Sequence, residues 1–452
     1  MTTAPETLTS PRLLWTTIGA FALIFLGAFE ALAVTTIMPI VTKDLDGESL
    51  YSVAFASTLA ASVVGTVIAG GWADRRGPSR PLVAAVSVFL VGLLVSGFAT
   101  DMITFVVGRF LQGFGSGAVN VCLYVVVARI YPAALHPKIF AVFAAAWVLP
   151  SLVGPPVAGV VAETISWHWV FLGVGVLVLV AAGTIFPALK ALWISDASTG
   201  VPGNTISVIW AVIVATGVVL ISVAREIAGA NAWWLAGAAL VVVIVAIRSL
   251  VPKGTLLVKR GLPATIFLRG AVAAAFFSTE VYLPYQLIEV YKLPVGLAGV
   301  ILTVGAISWA VGSAAQGRID DRMSHDTVMR VGASILLAGI AVQFVSAFLV
   351  LSPFVAASGW LLAGLGMGLV FPRISTLVLA YSTERDQGFN SAAMSNMDTT
   401  GSATSIAFAG LIFYAVGGGS FAAVMAFTTV LAVVAFLVSL RVRTPSAAPA
   451  GD

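Results

Sequence analysis

The sequence predicts an all-α integral membrane protein: two pseudo-symmetric six-helix bundles plus two inserted helices. Three observations lead there. The first is composition, since 60% of the 452 residues are hydrophobic and only 9% charged, with a mean hydropathy of +1.06; a soluble domain carries roughly 25% charged residues. The second is spacing, because apolar runs close to the ~20 residues needed to cross ~30 Å of hydrocarbon recur along the chain, joined by a few polar or turn-forming residues. The third is a set of landmarks repeated at an offset of about 250 residues. Open strands would leave backbone groups unsatisfied in lipid, and the runs do not alternate as barrel strands do, so each run reads as a helix.

Fourteen spans follow in order. Leu13 to Val41 carries one carboxylate, Glu30, well past its midpoint, and is too long and poorly flanked for a cleavable signal peptide. Tyr51 to Ala73 ends in "GGWADRRG", and Pro81 to Ala99 follows that loop. Met102 to Tyr131 sets Arg109, Gln112, Ser116 and Asn120 on one face, and holds the row Gly113, Gly115, Gly117. It also contains the only cysteine, Cys122, which reads as a small core residue. Ile139 to Ala162 contains "VGPPVAGV", and "WHWVF" introduces Trp169 to Leu189. Ile206 to Ala224 and Ala232 to Val251 carry no motif. Leu262 to Val290 contains "STEVYLP" with Glu280, and Val295 to Gln316 runs into "GRIDDRM". Val328 to Leu351 precedes Phe354 to Tyr381, where a glycine row returns as Gly364, Gly366, Gly368. Phe389 to Val416 carries Asp398, and Phe421 to Leu440 is the last.

The repeated landmarks are Glu30 with Glu280, the two glycine rows, and Gly-x-x-x-Asp-Arg at Gly70, Asp74, Arg75 and at Gly317, Asp321, Arg322. Three landmarks in one order predict a duplicated six-helix unit, residues 1–190 and 261–452, with an unpaired helix pair at 191–260 between them. With the N-terminus in the cytoplasm, the basic loop residues collect on the inner face and the outer face keeps only Lys43, Arg225 and Lys292. The net charge of +4 is thus a topology signal with no nucleic-acid patch behind it, and both termini are expected in the cytoplasm.

These motifs resemble those of the major facilitator superfamily, and in particular its fourteen-helix drug:proton antiporter branch. "GGWADRRGPSRPL" matches the family's loop after the second helix at Gly70, Asp74, Arg75, Gly77 and Leu82; "GRFLQGFGSG" matches the fourth-helix motif at Arg109, Gln112, Gly113, Gly115 and Gly117. "WHWVF" resembles a Trp-Arg-Trp-x-Phe sequence with His168 in place of arginine, and Glu30 with Pro39 keeps the spacing of a first-helix aspartate and proline. In the fifth helix Gly154, Pro155 and Gly159 fit the antiporter motif, while Ala158 and Pro150 stand where glycines are common. The resemblance implies a cytoplasmic latch holding the outward-open state, here Gly70, Asp74, Arg75, Gly77 and Arg129 with Asp321 and Arg322 in the second half.

The chemistry is expected at the intramembrane charges, because a carboxylate near the bilayer centre costs on the order of 2.5–3.5 kcal/mol on insertion scales and is kept for a function. Glu30, Glu280 and Asp398 are the candidates for proton coupling. Glu30 lies about 25 Å along its span and Arg109 about 10 Å along an oppositely running one, depths at which the two could pair. A permanent structural ion pair is the alternative. Ser391, Ser395, Asp398, Ser402 and Ser405 share one face, which should line either water or another helix. Asp74 and Asp321, at helix ends, could cap neighbouring helices and pair with Arg129 or Arg75, or serve only as solvated topology charges. Arg269, one or two turns inside, is expected to snorkel to the inner interface.

A mostly apolar substrate pocket would draw on Asn120, Tyr124, Trp147, Tyr282, Tyr285, Gln286, Trp309 and Asn396. No Gly-x-x-x-x-Gly-Lys-[Ser/Thr] loop, catalytic triad or metal-ligand cluster occurs, so neither an enzyme nor a cofactor is expected. One charge crossing 100 mV carries ~2.3 kcal/mol, enough for a gradient of roughly 40-fold, so a single proton is adequate fuel. The expected partners are therefore a small-molecule substrate, protons and the lipid of a cell membrane, around a monomer that exports apolar or amphipathic compounds against protons. A proton-coupled importer on the same scaffold is the alternative, supported by the incomplete glycine motif, and a membrane enzyme or receptor is a remote one.

Overall fold

The computed structural model describes residues 10–132, 135–195, 205–319, 323–383, 386–415 and 419–442. They form helices throughout: α1 (Pro11–Asp44), α2 (Tyr51–Arg76), α3 (Ser79–Gly97), α4 (Met102–Ile130), α5 (His136–Thr164), α6 (His168–Ser195), α7 (Thr205–Ser222), a short α8 (Ala224–Ala228), α9 (Ala232–Ile247), α10 (Leu262–Glu289), α11 (Val295–Ile319), α12 (His325–Leu349), α13 (Pro353–Tyr381), α14 (Gln387–Ala415) and α15 (Phe421–Ser439). The chain divides into two compact units, Met1–Ala215 and Thr216–Asp452, so the break falls inside α7, and α8 and α9 belong to the second unit. There α9 packs on α14, and the Arg225 guanidinium lies 4.8 Å from the Tyr414 ring.

Among the described residues, twelve helical stretches are long and apolar enough to cross a membrane, which makes this a multi-pass membrane protein. The expectation of fourteen is met as helices but not as spans by this measure. Among the described residues, the apolar part of α7 is only Ile206–Ser222, and α14 drops out because Asn390, Ser391, Ser395, Asn396, Asp398 and their neighbours lower its hydropathy.

In the first unit α1 packs on α5 and α6, α4 is flanked by α2 and α3, and α3 also meets α6. The second unit repeats the pattern helix for helix: α10 on α14 and α15, α13 flanked by α11 and α12, and α12 against α15. The glycine rows explain the closest contacts. A Cβ at Gly113 or Gly117 would run into the carbonyls of Thr58 and Ser62 on α2, and one at Gly115 would lie 2.5 Å from Phe89 N on α3. Gly364 and Gly368 meet the carbonyls of Gly305 and Trp309 on α11, and Gly366 would place its Cβ 2.5 Å from Leu336 N on α12. Lipid tails give apolar helices no reason to associate, so small residues that let backbones approach supply the packing.

Polar bonds seal the same seams. Thr66 Oγ1 donates to Gly117 O (3.2 Å) and Ser313 Oγ to Gly368 O (3.3 Å). The second bond has a clear cause: Pro372 has no N–H to offer the carbonyl four residues back, and Ser313 satisfies it instead.

Candidate functional site

Glu30 and Arg109 meet. Both are 3% exposed, on α1 and α4, and Arg109 Nη1 donates to Glu30 Oε1 and to Gln112 Oε1. Gln112, fully buried, turns its amide N–H groups to Gly92 O (3.1 Å) and Ser96 Oγ (3.0 Å) on α3. A single charge pair thereby ties three helices, and the glycine at 92 admits Gln112 because a Cβ there would sit 2.9 Å from its Cγ. Arg109 Nε has no hydrogen-bond partner among the described residues. Gly154 on α5 packs against Phe29, the neighbour of Glu30, with a would-be Cβ 3.5 Å from its ring; Pro155 and Gly159 are buried beside it.

The second unit repeats the acid without the base. Glu280 on α10 is half-buried and has no polar partner among the described residues. Where α4 has Arg109, α13 has Trp360, which is 1% exposed and donates Nε1 to Leu302 O (3.2 Å). Phe276, one turn before Glu280, stacks on Trp360 with ring centroids 4.5 Å apart.

The second unit instead holds its own pair one helix over. Arg269 on α10 donates Nε to Asp398 Oδ2 (3.0 Å), with Nη2 also 3.0 Å away, while Nη1 reaches Phe371 O at 3.1 Å. Its guanidinium carbon lies 3.1 Å from the centroid of the Phe371 ring. The snorkelling expectation for Arg269 is thus wrong. The close approach of α10 and α14 makes the pair possible: a Cβ at Gly270 would be 2.7 Å from Met397 O, and one at Gly401 2.6 Å from Gly270 O. A long guanidinium side chain in that seam reaches Asp398 more directly than it reaches the interface.

The polar face of α14 therefore serves two purposes. Ser405 Oγ accepts from Ser278 Oγ (2.7 Å) and lies 3.1 Å from Ala274 O, so that stretch of the face is a helix seam with α10. Asp398, with 20% of its side chain accessible, and the exposed Ser395 lie nearer the open part.

Of the aromatic and amide residues expected to line a pocket, Trp309 is half-buried between Phe276 (5.3 Å between centroids) and Phe371 (5.0 Å), the ring under Arg269. Tyr124 and Trp147 are 51% and 47% exposed, and Tyr124 stacks on Phe140. Asn120 is half-buried, its Nδ2 donating to Ser116 O (3.0 Å), and Asn396 is half-buried as well. Tyr282 and Tyr285 differ from the expectation: they are closed into the core against Phe413, with Phe421 edge-on to Tyr285. Gln286 is 1% exposed and neither amide atom finds a partner among the described residues. An unsatisfied buried amide costs about 1–3 kcal/mol, so Gln286→Met is expected to raise the thermal midpoint of the purified protein; a fall would mean the amide is bonded in the membrane.

At the loop after α2, Asp74, Arg75 and Arg129 are exposed, and Arg75 Nε donates to Gly71 O (2.9 Å). Gly70 packs near Val121, and Gly77, at φ +76°, ends α2 in a conformation that suits glycine. Asp321 and Arg322 lie outside the described residues. In "WHWVF", buried Trp167 donates Nε1 to Asp44 Oδ2 (2.9 Å), pinning the start of α6 to the end of α1, and His168 stacks on Trp167 and meets Ser166 Oγ at 2.7 Å. Sequence reasoning missed Arg269 as a partner for Asp398, the Phe371 ring under that guanidinium, and the Phe276–Trp360 stack one turn from Glu280. The depth argument that joined Glu30 to Arg109 would have found the first.

The comparisons with known proteins agree with this architecture. The description Major Facilitator Superfamily matches residues 20–403. The chain is 25% identical over 385 residues to the multidrug transporter protein MdtP of Bacillus subtilis, covering 82% of this chain and 69% of that one. It is 22% identical over 377 residues to the multidrug efflux pump SdrM of Staphylococcus aureus, covering 80% and 81%. Among solved structures, the partially occluded inward-open xylose transporter XylE of E. coli superposes with a TM-score of 0.62 at 15% identity, over 95% of this chain and 97% of that one. A POT family transporter in complex with 5-aminolevulinic acid gives 0.66 at 14%, over 93% and 94%. The duplicated six-helix pattern, the spanning helices and a match over most of the chain lead to one conclusion: this protein is a membrane transporter belonging to the Major Facilitator Superfamily.

Proposed function

We propose that this protein exports small, mostly apolar or amphipathic, drug-like compounds in exchange for protons, by alternating access. The observation that carries the reading is the pair of carboxylates on spanning helices, each facing a guanidinium: Glu30 with Arg109 and Asp398 with Arg269. A carboxylate so placed can lose its partner, take a proton from one side of the membrane and release it on the other as the molecule changes the face it opens to. Glu280, with no ion-pair partner among the described residues, is a third proton site. The multidrug names of two relatives support the substrate class. Asn120, Tyr124, Trp147, Trp309 and Asn396 are the proposed lining. Asp74, Arg75 and Arg129, with Asp321 and Arg322, form the proposed latch on the cytoplasmic face.

In this reading all fourteen long helices cross the membrane of the cell, α7 and α9 as the inserted pair, with both termini in the cytoplasm and the protein acting as a monomer. The 18 residues of α7 rise about 27 Å, enough for a thin or locally adapted bilayer.

Energised everted vesicles test the direction and the coupling together. Amphipathic dyes such as ethidium should accumulate in them and leak out on adding a protonophore. Asp398→Asn should reduce proton-driven accumulation at least 10-fold while leaving dye exchange at equilibrium measurable, because only the coupling step needs the acid. Accumulation in right-side-out vesicles instead would establish the importer, the second reading, which Pro150 and Ala158 in α5 favour.

A further inference from the structure

The segment joining α9 to α10 is ordered by its own hydrogen bonds. Thr255 N donates to Pro252 O (3.2 Å), Val258 N to Thr255 O (3.0 Å) and Lys259 N to Gly254 O (3.1 Å). Gly254 and Gly261 take φ of +91° and +88°, and a Cβ at Gly254 would lie 2.7 Å from Lys259 Cδ, so the lysine stem is laid across the glycine. Arg441, just past α15, donates Nη1 to Val258 O (3.4 Å) and brings a further cation to the same loop.

Four cations, Lys253, Lys259, Arg260 and Arg441, are exposed here and have no ion-pair partner among the described residues. The sequence has no Asp or Glu between Glu226 and Glu280 to neutralise them. In their midst Leu257 is 73% exposed. The loop also leads straight into the start of α10, whose Gly261 N-cap supplies no side-chain bond and whose second residue is a proline. The positive end of a 28-residue helix is thus added to the four side chains.

From this juxtaposition we propose that the α9–α10 loop is a binding site for the headgroup phosphate of an anionic phospholipid. Lys253, Lys259, Arg260, Arg441 and the first turn of α10 contact the phosphate, and Leu257 inserts among the acyl chains. Lipid is the source that fits, because the loop joins two stretches long and apolar enough to span, Ala224–Ile247 and Leu262–Glu289, and so belongs near a membrane surface. An exposed leucine ringed by cations gains nothing from free phosphate but does gain from a membrane interface.

The test is native mass spectrometry of the full-length protein in detergent, titrated with phosphatidylglycerol and, separately, phosphatidylcholine. The protein should retain phosphatidylglycerol preferentially. Lys259→Gln with Arg260→Gln should weaken its retention by about 25-fold, given the usual worth of a basic side chain at an anionic surface. The exposed pair Lys138→Gln with Lys190→Gln, equal in charge removed but on α5 and α6, should change it less than threefold. Equal losses in the two variants would mean a diffuse charge effect and overturn the site. Equal retention of the two lipids would do the same. Displacement of the lipid by millimolar inorganic phosphate would overturn the lipid as ligand and leave an inorganic anion in its place. Elution of every variant as a single monodisperse species in size-exclusion chromatography guards against a folding defect being read as lost binding.

Discussion

Glu30→Gln is expected to destabilise the purified protein by about 3–5 kcal/mol, because it leaves the Arg109 guanidinium buried without its counter-charge. Arg109→Gln should cost a similar amount, since the same side chain also bonds Gln112 and, through it, α3. Making both changes together should cost much less than the sum of the two, for a buried pair replaced by neutral partners loses both the attraction and the desolvation it had to overcome. Denaturant unfolding in detergent reads the three values as a double-mutant cycle. Simple additivity would show that the two groups do not interact. The double variant also separates structure from the proposed coupling: it should fold and reach the membrane, and under the proposed proton exchange it should fail to drive substrate with a proton gradient.

The second large effect is steric. Alanine at Gly113, Gly115, Gly364 or Gly366 is expected to lower the yield of monodisperse protein sharply, with a penalty of about 1–3 kcal/mol or more per site. At all four positions the added methyl would meet backbone of the neighbouring helix, and backbone has no rotamer by which to withdraw. Gly71→Ala and Gly173→Ala are the matched controls, since no atom lies within 4 Å of a Cβ built at either. Size-exclusion chromatography of the full-length chain compares them directly. Tolerance of alanine at all four sites would mean that the glycine seams are looser than this packing implies.

The same physics decides how much could be read in advance. Glu30 and Arg109 were legible because both charges stand deep in apolar runs at matching depth, where an unpaired charge has no cheap alternative. Arg269 stands as far past Leu262 as Arg109 does past Met102, so its depth carries the same signal, but a long side chain there can as well reach the interface; what commits it to Asp398 is Gly270 and Gly401 drawing α10 and α14 together. The polar stripe of α14 was read correctly as a face, yet half of it proved to be a seam with α10. Tyr282 and Tyr285 had the right composition for a pocket and the wrong orientation, turned into the core against Phe413. Glu280 was found by its offset from Glu30, but nothing in that offset disclosed that Trp360 replaces the arginine opposite.

The sequence by itself determined that the chain is helical, lives in a bilayer and is a duplication. Hydropathy and period are sums over contiguous residues, and a repeated landmark needs no neighbour to be visible. Only the tertiary structure decided which charges meet, because that depends on how each helix is rotated and how near glycine lets the next one come. An approach closer by a few ångströms turns a snorkelling arginine into a buried partner for Asp398.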